Sequence, residues 1–157
     1  MNIILDMRKS DRRDLIEACV QFYAQELKIE KKRFTLAVFS KKDLAKDHAA
    51  NGVAMRLTDG IYGMDLDSRL SMEKLIEVIA HEMVHIKQFA TGQLKYKGRS
   101  LFWRGEKVIR SRINYYDHPW EIEAWSKEKV LAAKVFKLWM KAEDVHNGKY
   151  NRNKSKA

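Results

Sequence analysis

The sequence predicts an α+β fold in which a small sheet packs on two major helices. Three observations carry the prediction. Residues 71–90 and 117–142 place apolar side chains at three- and four-residue steps, the spacing of helices with one buried face. Residues 33–40 (RFTLAVFS) and 52–67 (GVAMRLTDGIYGMDLD) are rich in β-branched and aromatic residues, as strands are. Seven glycines and a single proline, Pro119, among 157 residues are too few turn formers for an all-β domain.

The elements follow in order. The opening MNIILD is a short apolar patch with charges directly behind it, the reverse of a secretory signal. Ser10 suits the cap of a helix over 11–27, with Leu15, Cys19, Phe22, Tyr23 and Leu27 as its apolar stripe. KIEKKR breaks that pattern before the strand over 33–40. Residues 41–49 suit a short helix or turn. In 52–67, two extended pieces flank Asp59-Gly60, a pair that favours a hairpin or a bulged strand. The strongest helix follows, with Leu75, Ile76, Ile79, Ala80, Met83 and Ile86 on its apolar face and Thr91-Gly92 as its stop. Residues 93–114 read as basic and irregular, with one extended piece at SLFWRGEKV. Asp117 or His118 caps the last helix, Pro119 opens it, and Trp125, Leu131, Val135, Leu138 and Trp139 form its core side. Residues 1–146 are expected to form one domain and 147–157 a basic, flexible tail.

Composition excludes several classes. Apolar residues make up 45% of the chain, enough for a core and too many for a disordered protein. The only cysteine, Cys19, excludes an internal disulfide and a Cys-based zinc finger, and its place on the helix stripe suits an inert buried thiol. No apolar run approaches the roughly 18 residues of a membrane span, so a soluble, cytoplasmic protein with no membrane partner is expected.

The chemistry lies in His81-Glu82-Met83-Val84-His85, an HExxH match inside the strongest helix. Residues four apart share one helix face, so both imidazoles can aim at one point. A zinc ion accepts two such nitrogens at about 2.0–2.1 Å. Glu82 can then take a proton from a water on the metal without being a ligand itself. A shuffled chain of this composition would show HExxH about once in a hundred times, so the helical context carries the assignment.

A catalytic zinc usually takes a third protein ligand. The candidates lie in YYDHPWEIEA: His118, Glu121 and Glu123. If His118 caps the helix, Glu121 is the third helical residue and can reach back to the cap N–H. That local task leaves Glu123 as the preferred ligand and Glu121 as the alternative, and helical phase does not decide between them. Zn2+ is the expected cofactor.

HEMVH on a helix, with PWEIEA opening a later one, resembles the zinc metallopeptidases called gluzincins, in particular their small minimal-domain kind and the uncharacterised phage and bacterial metallopeptidases. The resemblance covers about residues 50–130. It implies a zincin-like fold, hydrolysis of a polypeptide substrate, His81, His85 and Glu123 as ligands, and Glu82 as general base. A looser similarity to SprT-like proteases lies in the basic charge, the element order and the HEMVH wording. That family normally adds a third His soon after the motif and often a Cys-rich module; this chain has neither. The thermolysin-type pattern places an Asp four residues after the ligand Glu. Lys127 stands there, which leaves the partner of the first His unidentified.

Secondary candidates remain. Tyr115, Tyr116 or His118 could steady an oxyanion. By the same resemblance, the segment before the HExxH helix lines a cleft, with Ala54, Met55 and Arg56 or Ile61 and Tyr62 along it. Gln88 lies on the ligand side of its helix. Lys95, Lys97, Arg99, Arg104, Lys107, Arg110 and Arg112, interleaved with Tyr96, Phe102 and Trp103, suit contact with nucleic acid. The net charge of +10 agrees with such a partner, and equally with steering of acidic substrates or a plain solvated surface. Trp103, Trp120, Trp125 and Trp139 read as packing residues, and His48 and His146 as surface residues.

Overall fold

The computed structural model describes residues 1–44, 46 and 50–154, the side chains of 143–154 excepted. Its elements are β1 (Asn2–Asp6), α1 (Asp11–Glu26), β2 (Thr35–Lys41), β3 (Gly52–Thr58), β4 (Ile61–Asp67), α2 (Met72–Ala90), β5 (Leu94–Lys97), β6 (Ser100–Trp103), β7 (Glu106–Val108) and α3 (Pro119–Lys154). The architecture is α+β. The main sheet has the order β1-β2-β4-β3, with β1, β2 and β4 parallel and β3 antiparallel to β4 at the edge. A second, antiparallel sheet has the order β5-β6-β7. No helix among the described residues is long and apolar enough to cross a membrane.

Local chemistry sets the element ends. Ser10 and Ser71 accept hydrogen bonds from the N–H groups of Arg13 and Lys74, each at 3.2 Å, and so cap α1 and α2. Gly92 takes a positive φ of 72° just past α2, a conformation that costs a side-chain-bearing residue more. Gly60 (φ 70°) turns the β3–β4 hairpin, whose register shifts between Arg56 and Thr58.

The core joins α1, α2 and the main sheet. Leu36 and Val38 of β2, Met64 and Leu66 of β4, Tyr23 of α1 and Leu75, Ile76, Ile79 and Met83 of α2 are all buried in one cluster. Each such aliphatic side chain contributes about 1.5–3 kcal/mol relative to an exposed one. The Tyr23 hydroxyl donates to the Ile76 carbonyl at 3.1 Å and ties α1 to α2. Arg12 donates to the carbonyls of Leu70 (2.7 Å) and Asp67 (2.9 Å), fixing the path from β4 into α2. Cys19 is buried, and burial pushes its thiol up to about 12.

Four sequence expectations change. The opening NIILD is a strand, paired in parallel with β2 from Asn2↔Thr35 to Asp6↔Phe39. Its Ile3 and Leu5 turn inward, an alternation too short to stand out beside the charges that follow. Residues 94–108 form three strands rather than one extended piece, because Gly98 and Gly105 (φ 58° and 91°) make two turns between very short strands. Helix α3 runs past the expected end near Ala142 to Lys154, and 155–157 lie outside the described residues. Its buried apolar residues are Trp120, Ala124, Leu131, Ala132 and Val135, whereas Leu138 is exposed and Trp125 only partly covered. Residues 45 and 47–49 of the 41–49 segment, His48 among them, and the side chain of His146 fall outside the described residues.

A smaller cluster positions the start of α3. Trp120 is buried with Leu94 and Leu101, against Phe89, Trp103 and Val108. The first turn of α3 is thus anchored to the end of α2 through the second sheet.

Candidate metal centre

Helix α2 projects His81 and His85 from one face, one turn apart, as the four-residue spacing requires. Their Nε2 atoms lie 3.2 Å from each other. Oε2 of Glu121, from the first turn of α3, lies 3.3 Å from Nε2 of His81 and 3.4 Å from Nε2 of His85. Ligands bound at 2.0–2.1 Å in tetrahedral geometry stand about 3.3–3.4 Å apart. These three donor atoms have the separations that such an ion imposes. Glu121 Oε2 is buried and makes no hydrogen bond, an uncommon state for a carboxylate oxygen unless a cation satisfies it. The residues His81, His85 and Glu121 therefore fit a metal ion.

The outer ring nitrogens are already engaged. His81 Nδ1 lies 2.7 Å from Glu128 Oε2, and His85 Nδ1 lies 2.9 Å from Gln88 Oε1. A carboxylate only accepts, so the His81 proton sits on Nδ1. The Gln88 amide donates to the Trp120 carbonyl (2.9 Å) and to Glu123 (3.0 Å), which leaves its oxygen to accept from His85. In the neutral rings each Nε2 then carries the lone pair that a metal requires, and without a metal a proton on Nε2 faces Glu121 instead. Glu128 is the missing partner of the first His, and Gln88 is fully buried at the site rather than solvated.

The preference for Glu123 is corrected. Its carboxylate is taken by Lys87 (2.9 Å), Gln88 (3.0 Å) and Lys127 (3.3 Å), and it makes no contact with either imidazole. The capping argument against Glu121 also fails. His118 does open the helix, its carbonyl accepting from the N–H groups of Glu121 and Ile122. However, its own N–H donates to the Tyr115 carbonyl, so Glu121 is released from that task. Two sequence signals pointed this way. Lys127, four residues after Glu123, offers it a local ion pair. Glu121 and Glu128 are two turns apart and share a face.

Electrostatics agree with these roles. Burial opposes ionisation of Glu121, but the adjacent imidazoles outweigh it and hold the carboxyl at about 2. Burial disfavours charge on His81 and His85 as well, yet Glu121 and the neighbouring carboxylates leave both raised. Glu82 is buried beside the pair. Its carboxyl is raised, chiefly by burial, while the imidazoles and a hydrogen bond from the Ala54 N–H pull the other way. Ala54 lies on β3, so the edge strand reaches the site. Gly52 makes that approach possible: a Cβ there would stand 2.6 Å from Val78 Cγ1 and 3.0 Å from Glu82 Oε1.

Of the three aromatic candidates, Tyr115 lines the cavity of about 250 Å³ that also holds His81 and Glu82. Burial first, and the Glu121 carboxylate second, push its hydroxyl up to about 12. Tyr116 is exposed and stacks on Trp125, with ring centres 5.4 Å apart. His118 is buried and stacks on Trp120 at 4.5 Å, away from that cavity. Ala54, Met55 and Arg56 line the continuation of the cleft, as does Tyr62, while Ile61 is exposed beside it.

Comparison of the chain with protein families, with curated proteins and with solved structures finds no match.

Proposed function

We propose that the protein is a zinc-dependent peptidase of zincin-like, gluzincin-type architecture, with His81, His85 and Glu121 as its metal ligands. The single observation that carries the reading is the triangle of Nε2, Nε2 and Oε2 atoms 3.2–3.4 Å apart, with Glu82 buried next to it at the cleft. A bound zinc supplies Lewis acidity, polarising a scissile carbonyl and bringing a water's pKa down to about 7. Glu82 takes the proton of the attacking water and returns it to the leaving amine. Its raised carboxyl suits that exchange, because a base poised nearer neutrality gives the proton back more easily. Glu128 and Gln88 keep the imidazoles oriented. Tyr115 stands where a hydroxyl can donate to a developing oxyanion at the cavity wall.

Metal analysis and a casein digest test this. Wild type and Glu82→Gln should each carry one zinc, and cleavage by the variant should fall by about 100- to 10,000-fold. Equal cleavage by the two proteins, or undiminished cleavage after chelation, would refute the assignment.

A second reading concerns residues 95–112. Lys95, Lys97, Arg99 and Lys107 are exposed on the second sheet, which favours contact with nucleic acid. Steeply salt-dependent binding of DNA supports it, and its absence removes it.

A further inference from the structure

The cleft continues on both sides of the metal donors, and its two halves differ in charge. On the Gly52 side the cavity is lined by Glu77, Glu82 and Glu128 against one cation, Lys74, which pairs with Glu77 at 2.9 Å. On the other side a cavity of about 200 Å³ adjoins His85 and Glu121 and is lined by Ala54, Tyr96 and Arg110. It shares Ala54 and Tyr96 with the next hollow along, and Tyr96 again with a third that Lys95 and Arg56 line. Arg56 pairs with Asp59, but Lys95 and Arg110 make no ion pair among the described residues. One half of the groove is therefore acidic and the other basic, with the metal donors between them.

Strand β3 gives this asymmetry a direction. It is an edge strand of the main sheet and runs from Gly52, on the acidic side, to Arg56, on the basic side. An extended peptide adds to a free edge most stably in the antiparallel sense. Its N-terminal half then lies along Met55 and Arg56, and its C-terminal half along Gly52. We propose, resting on the peptidase reading, that the groove selects extended polypeptide segments with acidic side chains on the N-terminal side of the reacting bond. Lys95 and Arg110 are the selecting residues, and Glu77 and Glu128 disfavour acid on the C-terminal side.

Fluorescence anisotropy with labelled octapeptides tests this on zinc-loaded, full-length Glu82→Gln protein. One peptide carries three Glu before an Ala-Leu centre, a second carries them after it, and a third has Gln in their place. The acid-first peptide should bind about fivefold tighter than the Gln peptide, and the acid-last peptide no tighter. The preference should vanish in Arg110→Glu, should halve in Lys95→Glu, and should shrink at high salt. Both substitutions lie on exposed positions, and thermal melts confirm that the variants fold. Equal binding of the acid-first and acid-last peptides, or a preference that survives both substitutions, overturns the proposal. A short oligothymidylate that binds much tighter than any peptide, and loses affinity with Arg110→Glu, overturns it in favour of a phosphate-backbone ligand. Digestion of the same peptides by wild type separates the two inferences. Cleavage without acid preference removes only the charge selectivity. Acid preference without cleavage retains the acidic-segment site and removes the peptidase reading.

Discussion

Exchanging Glu121 for glutamine should abolish tight zinc binding, whereas the same exchange at Glu123 should spare it. Glu121 Oε2 stands 3.3 and 3.4 Å from the two imidazoles, while the Glu123 oxygens are occupied by Lys87, Gln88 and Lys127. Apparent zinc affinities of about 10–16 kcal/mol spread over four ligands give roughly 2.5–4 kcal/mol for each. Loss of Glu121 should thus weaken binding roughly 100- to 1,000-fold. With zinc at about 100 times the wild-type Kd, binding stabilises the folded state by about 2.7 kcal/mol. In a domain of this size that raises Tm by about 5–11 °C. Glu121→Gln should retain a shift below about 2 °C under the same conditions. Glu123→Gln should be less stable without zinc by about 1 kcal/mol, for the lost Lys87 pair, and respond to zinc as wild type does. Competition against a chromophoric chelator gives the affinities, and melts in chelator give the baseline. Equal loss of the zinc response in both variants, or a Glu121→Gln affinity within tenfold of wild type, would refute the ligand assignment.

Other outcomes follow from the same geometry. Gly52→Ala should destabilise the fold by about 1–3 kcal/mol in urea unfolding and cut cleavage, since the new Cβ meets Val78 and Glu82; a neutral result would show that β3 does not approach α2 this closely. Glu128→Gln should weaken zinc binding about 10- to 100-fold, because His81 loses a charged acceptor, and unchanged affinity would remove Glu128 from the site. The metal-free protein should be most stable between about pH 4.5 and 6.5. Glu121, depressed to about 2, contributes stability that is present above its ordinary 4.5 and lost as pH falls toward 2. His81 and His85, raised above 6.5, contribute stability that is present below that value and lost as pH climbs through their folded values. Zinc competes with those protons, so the optimum of the loaded protein should move upward; a metal-free optimum in alkali would contradict the paired imidazole–carboxylate arrangement.

How much of this was legible in the sequence depended on the range of the interactions involved. Helices α1 and α2, the strand over 33–40 and the Asp59-Gly60 hairpin were readable because their signals are local: a serine cap, a periodic stripe, a turn dipeptide. The pair His81 and His85 was readable for the same reason. The choice between Glu121 and Glu123 was not settled there, because the position of Glu121 depends on Trp120 being buried against Leu94 and Leu101, contacts that span the second sheet. Gln88 is a surface-type residue by composition, and only the arrival of α3 buries it. Strand β1 becomes a strand by pairing with β2, a partner distant in sequence.

The placement of the three donor residues has a mechanical consequence. His85 and Glu121 stand at the two ends of the stretch that contains the entire second sheet, and among the described residues the buried core of that sheet is small, formed by Leu94, Leu101 and Trp120. A cation gripped at both ends would work as a clasp, closing this loop much as a cross-link does and suppressing its local opening. Stripping the ion should therefore loosen residues 94–120 ahead of the main core, and amide exchange in that lobe would register the loss before any global melting.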